Sequence, residues 1–495
     1  MLYPNFREFS KKAKEGNLIP VYREILADLE TPLSAFLKLK GKNGFLFESV
    51  EGGEKWARYS FIGGNPSLTI EGNGKDLIIK QGRKRKKVRA VHDPLEIVAR
   101  ELEKYKPVVM PGLPTFVGGL AGYIGYDTVR HFEKLPDYDH EGLDLPDVFL
   151  MLADTLVVFD NLTHKIKVIA NAYIDNGQKK AYDKACAKID GIVKKLESKG
   201  VPLRTAPASR KRKPSKSSAF SSNFTKKDFM NAVKKTKKYV KAGDVIQTVI
   251  SQNFHKETDI APINAYRALR VINPSPYMFY LETGKCTLVG SSPEILVKVE
   301  GDTVSLRPIA GTRRRGHTPE EDLFFEEELK ADPKEIAEHI MLVDLGRNDA
   351  GRVAETGSVE VKELMTVEKY SHVMHLVSSV EGKLNSRHNA FDVLRASFPA
   401  GTVSGAPKIR AMEIIEELEP TKRGPYAGCV GYFDFSGNMD MCITIRTILF
   451  KDKKAYIQAG AGIVADSDPE LEYKETQNKA RGMFKAIEMA ENELS

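Results

Sequence analysis

Residues 278–308 read MFYLETGKCTLVGSSPEILVKVEGDTVSLRP, a series of alternating short strands. Upstream of them, 226–242 has the pattern of a helix and 245–254 that of a strand. Downstream, helices are expected over 333–345, 390–395 and 406–418, and another begins near Pro469. Strands followed by helices argue for an α+β architecture and against a parallel βαβ series. The first 200 residues are strand-like at 44–49 and 77–80, and a helix of alternating charge is expected over 179–199. The longest apolar run, 148–159, is interrupted by Asp154 and is too short to span a bilayer, so it reads as a buried strand or strand pair.

A chain of 495 residues, 41% hydrophobic and 29% charged, can bury a large core and stay soluble. The N-terminus is charged early and lacks the apolar core of a secretory signal, and a cytoplasmic setting is expected. Cys186, Cys286, Cys429 and Cys442 form no CxxC and are widely spaced, which speaks against a disulfide scaffold or a zinc site and for a reducing compartment. The net charge of +8 comes from two local runs, at 83–89 and 204–216, that hold twelve basic residues; the remaining 63 face 67 acids. Solvated loops explain these runs, and neither a nucleic-acid face nor a membrane partner is expected. The second run lies in a stretch rich in Pro, Ser, Ala and Lys. It divides the chain into an N-terminal region, 1–204, a linker, 205–222, and a C-terminal region, 223–495.

Asp332-Pro333 is a helix start, with Asp as cap and Pro in the first turn. Glu335 and Glu338 then share one face, and Glu472 and Glu475 repeat the arrangement after Asp468-Pro469. Each pair alone is explained by capping and the helix dipole. Together they form an oxygen-only donor set of the kind that suits Mg²⁺. Like charges at ~4 Å repel by about 4 kcal/mol at an effective dielectric of roughly 20, so converging acids would call for a divalent cation.

From Gln247 onward the chain resembles the chorismate-utilising enzymes, and within them the anthranilate synthase large subunits (component I). The segments that carry the likeness stand in the family's order: GDVIQ at 243–247, GSSPE at 290–294, RPIAGT at 307–312, VDLGRND at 343–349, YSHVMH at 370–375, GTVSGAPK at 401–408 and QAGAG at 458–462. The resemblance implies a large antiparallel β-sandwich wrapped by helices, with the N-terminal region packed into the same body. It places Mg²⁺ on Glu335, Glu338, Glu472 and Glu475, where the ion would grip the ring carboxylate of chorismate. Glu294 matches the acid that assists departure of the C4 hydroxyl, so a raised pKa is expected. Arg446 and Tyr426 match the residues holding the enolpyruvyl carboxylate. Gly460, Ala461 and Gly462 resemble a backbone cradle for a carboxylate, with Thr312 and Lys479 also at the substrate. His375 matches the histidine of the elimination step, with Thr402 beside it. His372 and His375 are three apart, but no HExxH or thiolate set accompanies them.

Gln247 stands where the water-adding relatives have a lysine, which makes ammonia the expected nucleophile. Ala310, in PIAGT, stands where many aminodeoxychorismate synthases have a lysine. The resemblance therefore implies conversion of chorismate and ammonia to anthranilate and pyruvate in tryptophan biosynthesis. Aminodeoxychorismate synthase component I, of folate biosynthesis, is the alternative. No fused glutaminase is visible, so a separate glutamine amidotransferase subunit is the implied partner. Feedback by tryptophan is implied at Glu48 and Ser49, with Pro276, Tyr277 and Met278 as apolar contacts. A non-catalytic basic scaffold protein would explain the charge runs but not the PIAGT and QAGAG segments or the paired acids.

Overall fold

The computed structural model describes residues 1–49, 58–198, 219–370 and 373–494. Two large sheets carry the fold, and every registered strand pair in them is antiparallel. The run at 148–159 shows why they stack. It forms two strands, Val148–Ala153 in one sheet and Thr155–Asp160 in the other, with Asp154 at the crossing. Side chains alternate along each strand. Phe149 and Met151 of the first strand, and Leu156 and Val158 of the second, enter one central cluster. Leu150 and Leu152 face a second cluster and Val157 and Phe159 a third. The central cluster is the sandwich interior, and the other two lie beneath helices.

Helices Gln178–Leu196, Pro262–Ile272 and Pro469–Asn492 pack on the outer face of the sheet that holds Thr155–Asp160, and Leu95–Leu102 and Ala390–Ser397 on that of the sheet that holds Val148–Ala153. This is the α+β sandwich wrapped by helices. Both sheets are built across the compositional division of the chain. Gly44–Glu48 pairs with Tyr277–Glu282 in one, and Gly119–Ile124 pairs with Cys429–Asp434 in the other. Most of the linker expected at 205–222 lies outside the described residues, although Ser221–Ser222 already pairs with the strand Gln247–Glu257. The basic run at 83–89 is no loop: Lys84–Arg89 is an exposed edge strand, where positive charge blocks further pairing. The 333–345 helix extends to Gly351, and the 406–418 helix begins at Lys408, because Gly405–Ala406 pairs with Gln247 and Thr248.

Candidate functional site

Two further crossings between the sheets create the centre of the site. Pro293 and Glu294 connect Thr287–Ser292 of one sheet to Ile295–Glu300 of the other. Residues 444–446 connect Met439–Ile443 to Thr447–Lys451 in the reverse sense. The crossings are bolted together, since Ile443 N–H donates to the Glu294 carbonyl (3.0 Å) and Ser291 N–H to the Arg446 carbonyl (3.1 Å). Arg446 turns at φ 51°, a left-handed conformation unusual for a residue with a Cβ. The two side chains therefore meet in the split between sheets.

Burial pushes the Glu294 carboxyl up to about 7, against the opposing pull of the Thr402 hydroxyl, Lys479 and Arg446. A carboxyl in that range can hold a proton at neutral pH and give it up. Burial also pushes the Arg446 pKa down, partly offset by Tyr426, Glu475 and Glu294. No side chain among the described residues hydrogen-bonds this guanidinium, which leaves its planar fork for an anion. Thr402, in the turn Gly401–Val403, faces Glu294 without closing a hydrogen bond, and its buried hydroxyl finds no partner among the described residues. Such an orphan in a polar cleft marks a place for a ligand or water. Glu294 and Thr402 line a cleft of about 380 Å³ that includes its open mouth.

The strand Lys454–Ile463 supplies another wall. Thr447–Lys451 pairs with its first part, up to Ile457, so among the described residues 458–463 have one strand neighbour, Gln247–Glu257. Ala461 turns its methyl into the core beneath the helices. Gly460 and Gly462 face the other way, where a Cβ would stand 2.9 Å from the Tyr426 hydroxyl and 2.2 Å from Gln247 Nε2. The glycines thus let Tyr426 and Gln247 close onto the backbone. Lys479 Nζ donates to the Gly460 carbonyl at 3.0 Å and pairs with Glu475 at 2.7 Å.

His375 lies on Val373–Lys383, opposite a bulge between Ala310 and Arg313. At the bulge Gly311 takes φ 65° and turns its carbonyl to within 2.8 Å of His375 Nδ1. A ring nitrogen so placed must carry the proton, so Nε2 keeps its lone pair. The Thr312 hydroxyl lies 3.1 Å from the same Nδ1. Burial lowers the His375 pKa, which favours this neutral base; the Gly311 contact opposes it and Arg446 adds to it.

The two acid-bearing helices start as their sequences dictate. Asp332 accepts from the N–H groups of Lys334 and Glu335, and Asp468 from those of Glu470 and Leu471. Glu338 is raised by burial and then by the charges of Glu335 and Glu475, so carboxylates of both helices feel one another. Glu472 is raised by burial, with Glu475 adding and the Ser467 hydroxyl, Lys334 and Lys479 opposing. Gln247 Nε2 reaches Glu338 at 3.4 Å. The acids do not close into a ligand cluster, and among the described residues no group of three or more His, Cys, Asp or Glu is placed to hold a metal ion. Arg313, a residue that sequence reading missed, holds Glu335 at 3.1 Å and also pairs with Glu328 and Asp332. Two cations, Arg313 and Lys479, therefore sit on two of the four carboxylates. The donor chemistry and crowded negative charge fit a hard divalent ion, provided those ion pairs yield to it.

A second pocket, of about 630 Å³, contains all five residues of the second predicted site, Glu48, Ser49, Pro276, Tyr277 and Met278. Glu48 is buried, accepts a hydrogen bond from the Tyr266 hydroxyl and pairs with Arg270 at 3.1 Å. Sequence reading missed the far wall, where Asp440 accepts from the Tyr277 hydroxyl at 2.9 Å beside Tyr432 and Cys442. The pocket adjoins the first site through strand register, because Tyr277 lies opposite Ser292, two residues before Glu294.

A profile described as chorismate binding enzyme matches residues 45–485. The anthranilate synthase component 1 of Acetivibrio thermocellus is 50% identical over 492 residues, covering 99% of each chain. That of Aquifex aeolicus is 50% identical over 489 residues, 98% of each. The crystal structure of anthranilate synthase component I from Streptococcus pneumoniae superposes with a TM-score of 0.76 at 36% identity, covering 93% of this chain and 98% of that one. The menaquinone-specific isochorismate synthase of Escherichia coli shares the fold, with a TM-score of 0.70 at 18% identity over 97% and 98% of the two chains.

Proposed function

The chain belongs to the chorismate binding enzyme family, and from that premise we propose that it is the aminating component I of an anthranilate synthase. The observation that carries this reading is the meeting, at two sheet crossings, of a carboxyl able to hold a proton near neutrality and an arginine that no side chain among the described residues hydrogen-bonds. The 50% identity to component 1 enzymes over nearly the full length narrows the product to anthranilate.

Chorismate lies with its enolpyruvyl carboxylate on Arg446 and Tyr426 and its ring carboxylate against the backbone of Gly460–Gly462. Ammonia forms a bond to C2 as the C4–O bond breaks, and Glu294 donates the proton with which the hydroxyl leaves as water. His375 Nε2 then removes the C2 proton. The C3–O bond breaks, the side chain leaves as enolpyruvate, which takes a proton at its methylene carbon to become pyruvate, and the ring becomes aromatic. Gln247 and Ala310 leave no lysine to activate water or to form a covalent adduct, so ammonia adds directly. Glu335, Glu338, Glu472 and Glu475 would hold Mg²⁺ once Arg313 and Lys479 release them. The ion neutralises and orients the ring carboxylate when bound.

Ammonia comes from a separate glutamine amidotransferase subunit, as the designation component 1 of the relatives suggests. The second pocket takes tryptophan, with its amino group on Glu48 and its indole against Pro276, Tyr277 and Met278. No helix among the described residues is long and apolar enough to cross a membrane, and the reaction is assigned to the cytoplasm.

Incubation with chorismate, Mg²⁺ and excess ammonium at mildly alkaline pH tests the reading. Anthranilate fluorescence rising with equimolar pyruvate is expected. Accumulation of aminodeoxychorismate or isochorismate in its place would overturn it.

A further inference from the structure

Arg423 and Glu419 form an ion pair in which neither side chain is more than 4% exposed. The pair is a fork: Nε meets Oε2 at 2.9 Å and Nη2 meets Oε1 at 2.6 Å. Burying two charges offsets most of their attraction, so such a pair adds little stability over apolar side chains of the same size. Among the described residues, its other side-chain hydrogen bonds all go to walls of the site. Arg423 Nη1 donates to the carbonyl of Val403, the neighbour of Thr402, at 2.7 Å. Nη2 donates at 2.9 Å to the carbonyl of Val249, two residues beyond Gln247. Glu419 Oε1 accepts from the N–H and hydroxyl of Ser251 at 2.7 and 2.8 Å, and Ser251 is the strand partner of Gly460. The guanidinium carbon lies over two rings, 4.7 Å from the centre of Tyr126 and 5.6 Å from that of Tyr426.

We propose that Arg423, keyed by Glu419, is a positioning residue for the aminating reaction: from behind the walls it fixes the spacing of Thr402, Gln247, Tyr426 and Gly460. The role rests on the function proposed above. Arg423 does not touch substrate, being 4% exposed and committed to the Glu419 carboxylate and two backbone carbonyls. Only a planar guanidinium can fork to a carboxylate, reach two further carbonyls and contact two aromatic rings; a lysine ammonium keeps the charge and loses the plane.

Arg423→Lys is compared with the wild type and with the double variant Glu419→Met, Arg423→Met, each assayed with chorismate, Mg²⁺ and ammonium well below its unfolding temperature. For Arg423→Lys the expected change is a fall in kcat/KM on the order of 10- to 100-fold. It divides between kcat, from Thr402 and Gln247, and KM, from Tyr426 and the glycine strand. The double variant, relieved of buried charge, should unfold at or above the temperature of Arg423→Lys and stay equally impaired. A pair that only stabilised the fold would move unfolding temperatures and leave both kinetic constants alone. Wild-type kcat and KM in Arg423→Lys, or recovery of both in the double variant, overturns the role. Should neither variant fold, Ser251→Ala, which deletes one contact to Glu419, decides it: a KM raised several-fold supports the role and an unchanged KM overturns it. If the wild type forms no anthranilate, the functional reading fails; a normal wild type beside an unaffected Arg423→Lys defeats only the positioning role.

Discussion

Replacing Glu294 by Gln should make the protein both a poorer catalyst and, at alkaline pH, a more stable fold. Burial holds the carboxyl at about 7 against an ordinary value of 4.5. Below 4.5 the folded and unfolded chains both carry the proton, and ionisation imposes no penalty. As pH rises from there the unfolded chain loses its proton first, so stability drains away until the folded carboxyl has ionised as well. A shift of roughly 2.5 units corresponds to about 3 kcal/mol, fully developed by pH 8. Glutamine has no proton to lose and escapes this cost. For 495 residues the unfolding entropy is about 1 kcal/mol/K, which makes the expected rise in unfolding temperature about 3 °C at pH 8. At pH 5, where only about 0.8 kcal/mol of this cost has developed, the difference should shrink to under about 1 °C. The kinetic counterpart is a rate lower by ~10²–10⁴-fold, the usual contribution of a positioned acid. In the wild type, kcat/KM per unprotonated ammonia should fall as pH rises past about 7. Calorimetric scans of both proteins at pH 5 and pH 8, without ligand, supply the stability test. Equal destabilisation of the variant at both pH values would refute the reasoning, as would a wild-type profile with no loss of activity above neutrality.

Other expectations are equally concrete. His375→Ala should aminate chorismate and stop there, with the aminated intermediate visible by chromatography and pyruvate release lost; anthranilate at the normal rate would remove His375 from the mechanism. Gly462→Ala places a methyl 2.2 Å from Gln247 Nε2. It should displace that side chain from Glu338 and lower turnover on the order of 10-fold with an unchanged unfolding temperature; full activity would show that Gln247 has no fixed place. Glu48→Gln should raise the tryptophan concentration for half-inhibition roughly 10- to 100-fold, the worth of a charge-assisted hydrogen bond. An unshifted inhibition curve would place the inhibitor elsewhere.

How much of this was legible in the sequence depended on how local the signal was. Asp-Pro helix starts and the glutamates behind them are written in consecutive residues, and both helices begin where those residues say. The apolar run broken at Asp154 read as a strand pair, and the break is where the chain changes sheets. Glu294 and Arg446 carry no local mark of their own. Their meeting depends on two sheet crossings about 150 residues apart, and only the family's segments pointed to them. Arg313 was passed over because its task, holding Glu335 and Asp332, appears only when the bulged strand packs on the helix. Glu419 and Arg423 have the spacing of an exposed helical pair. The helix ends at Leu418, however, and both side chains turn inward to backbone groups that sequence distance conceals.

Catalysis in this scheme needs two helices, one carrying Glu335 and Glu338 and the other Glu472 and Glu475, to serve one cation jointly with chorismate. Electron paramagnetic resonance of Mn²⁺, titrated into the protein with chorismate present and ammonium withheld, reads this directly. A bound-ion signal is expected in the wild type, and Glu338→Gln and Glu472→Gln should each abolish it. Undiminished binding in either variant, or no binding in the wild type, would contradict the scheme.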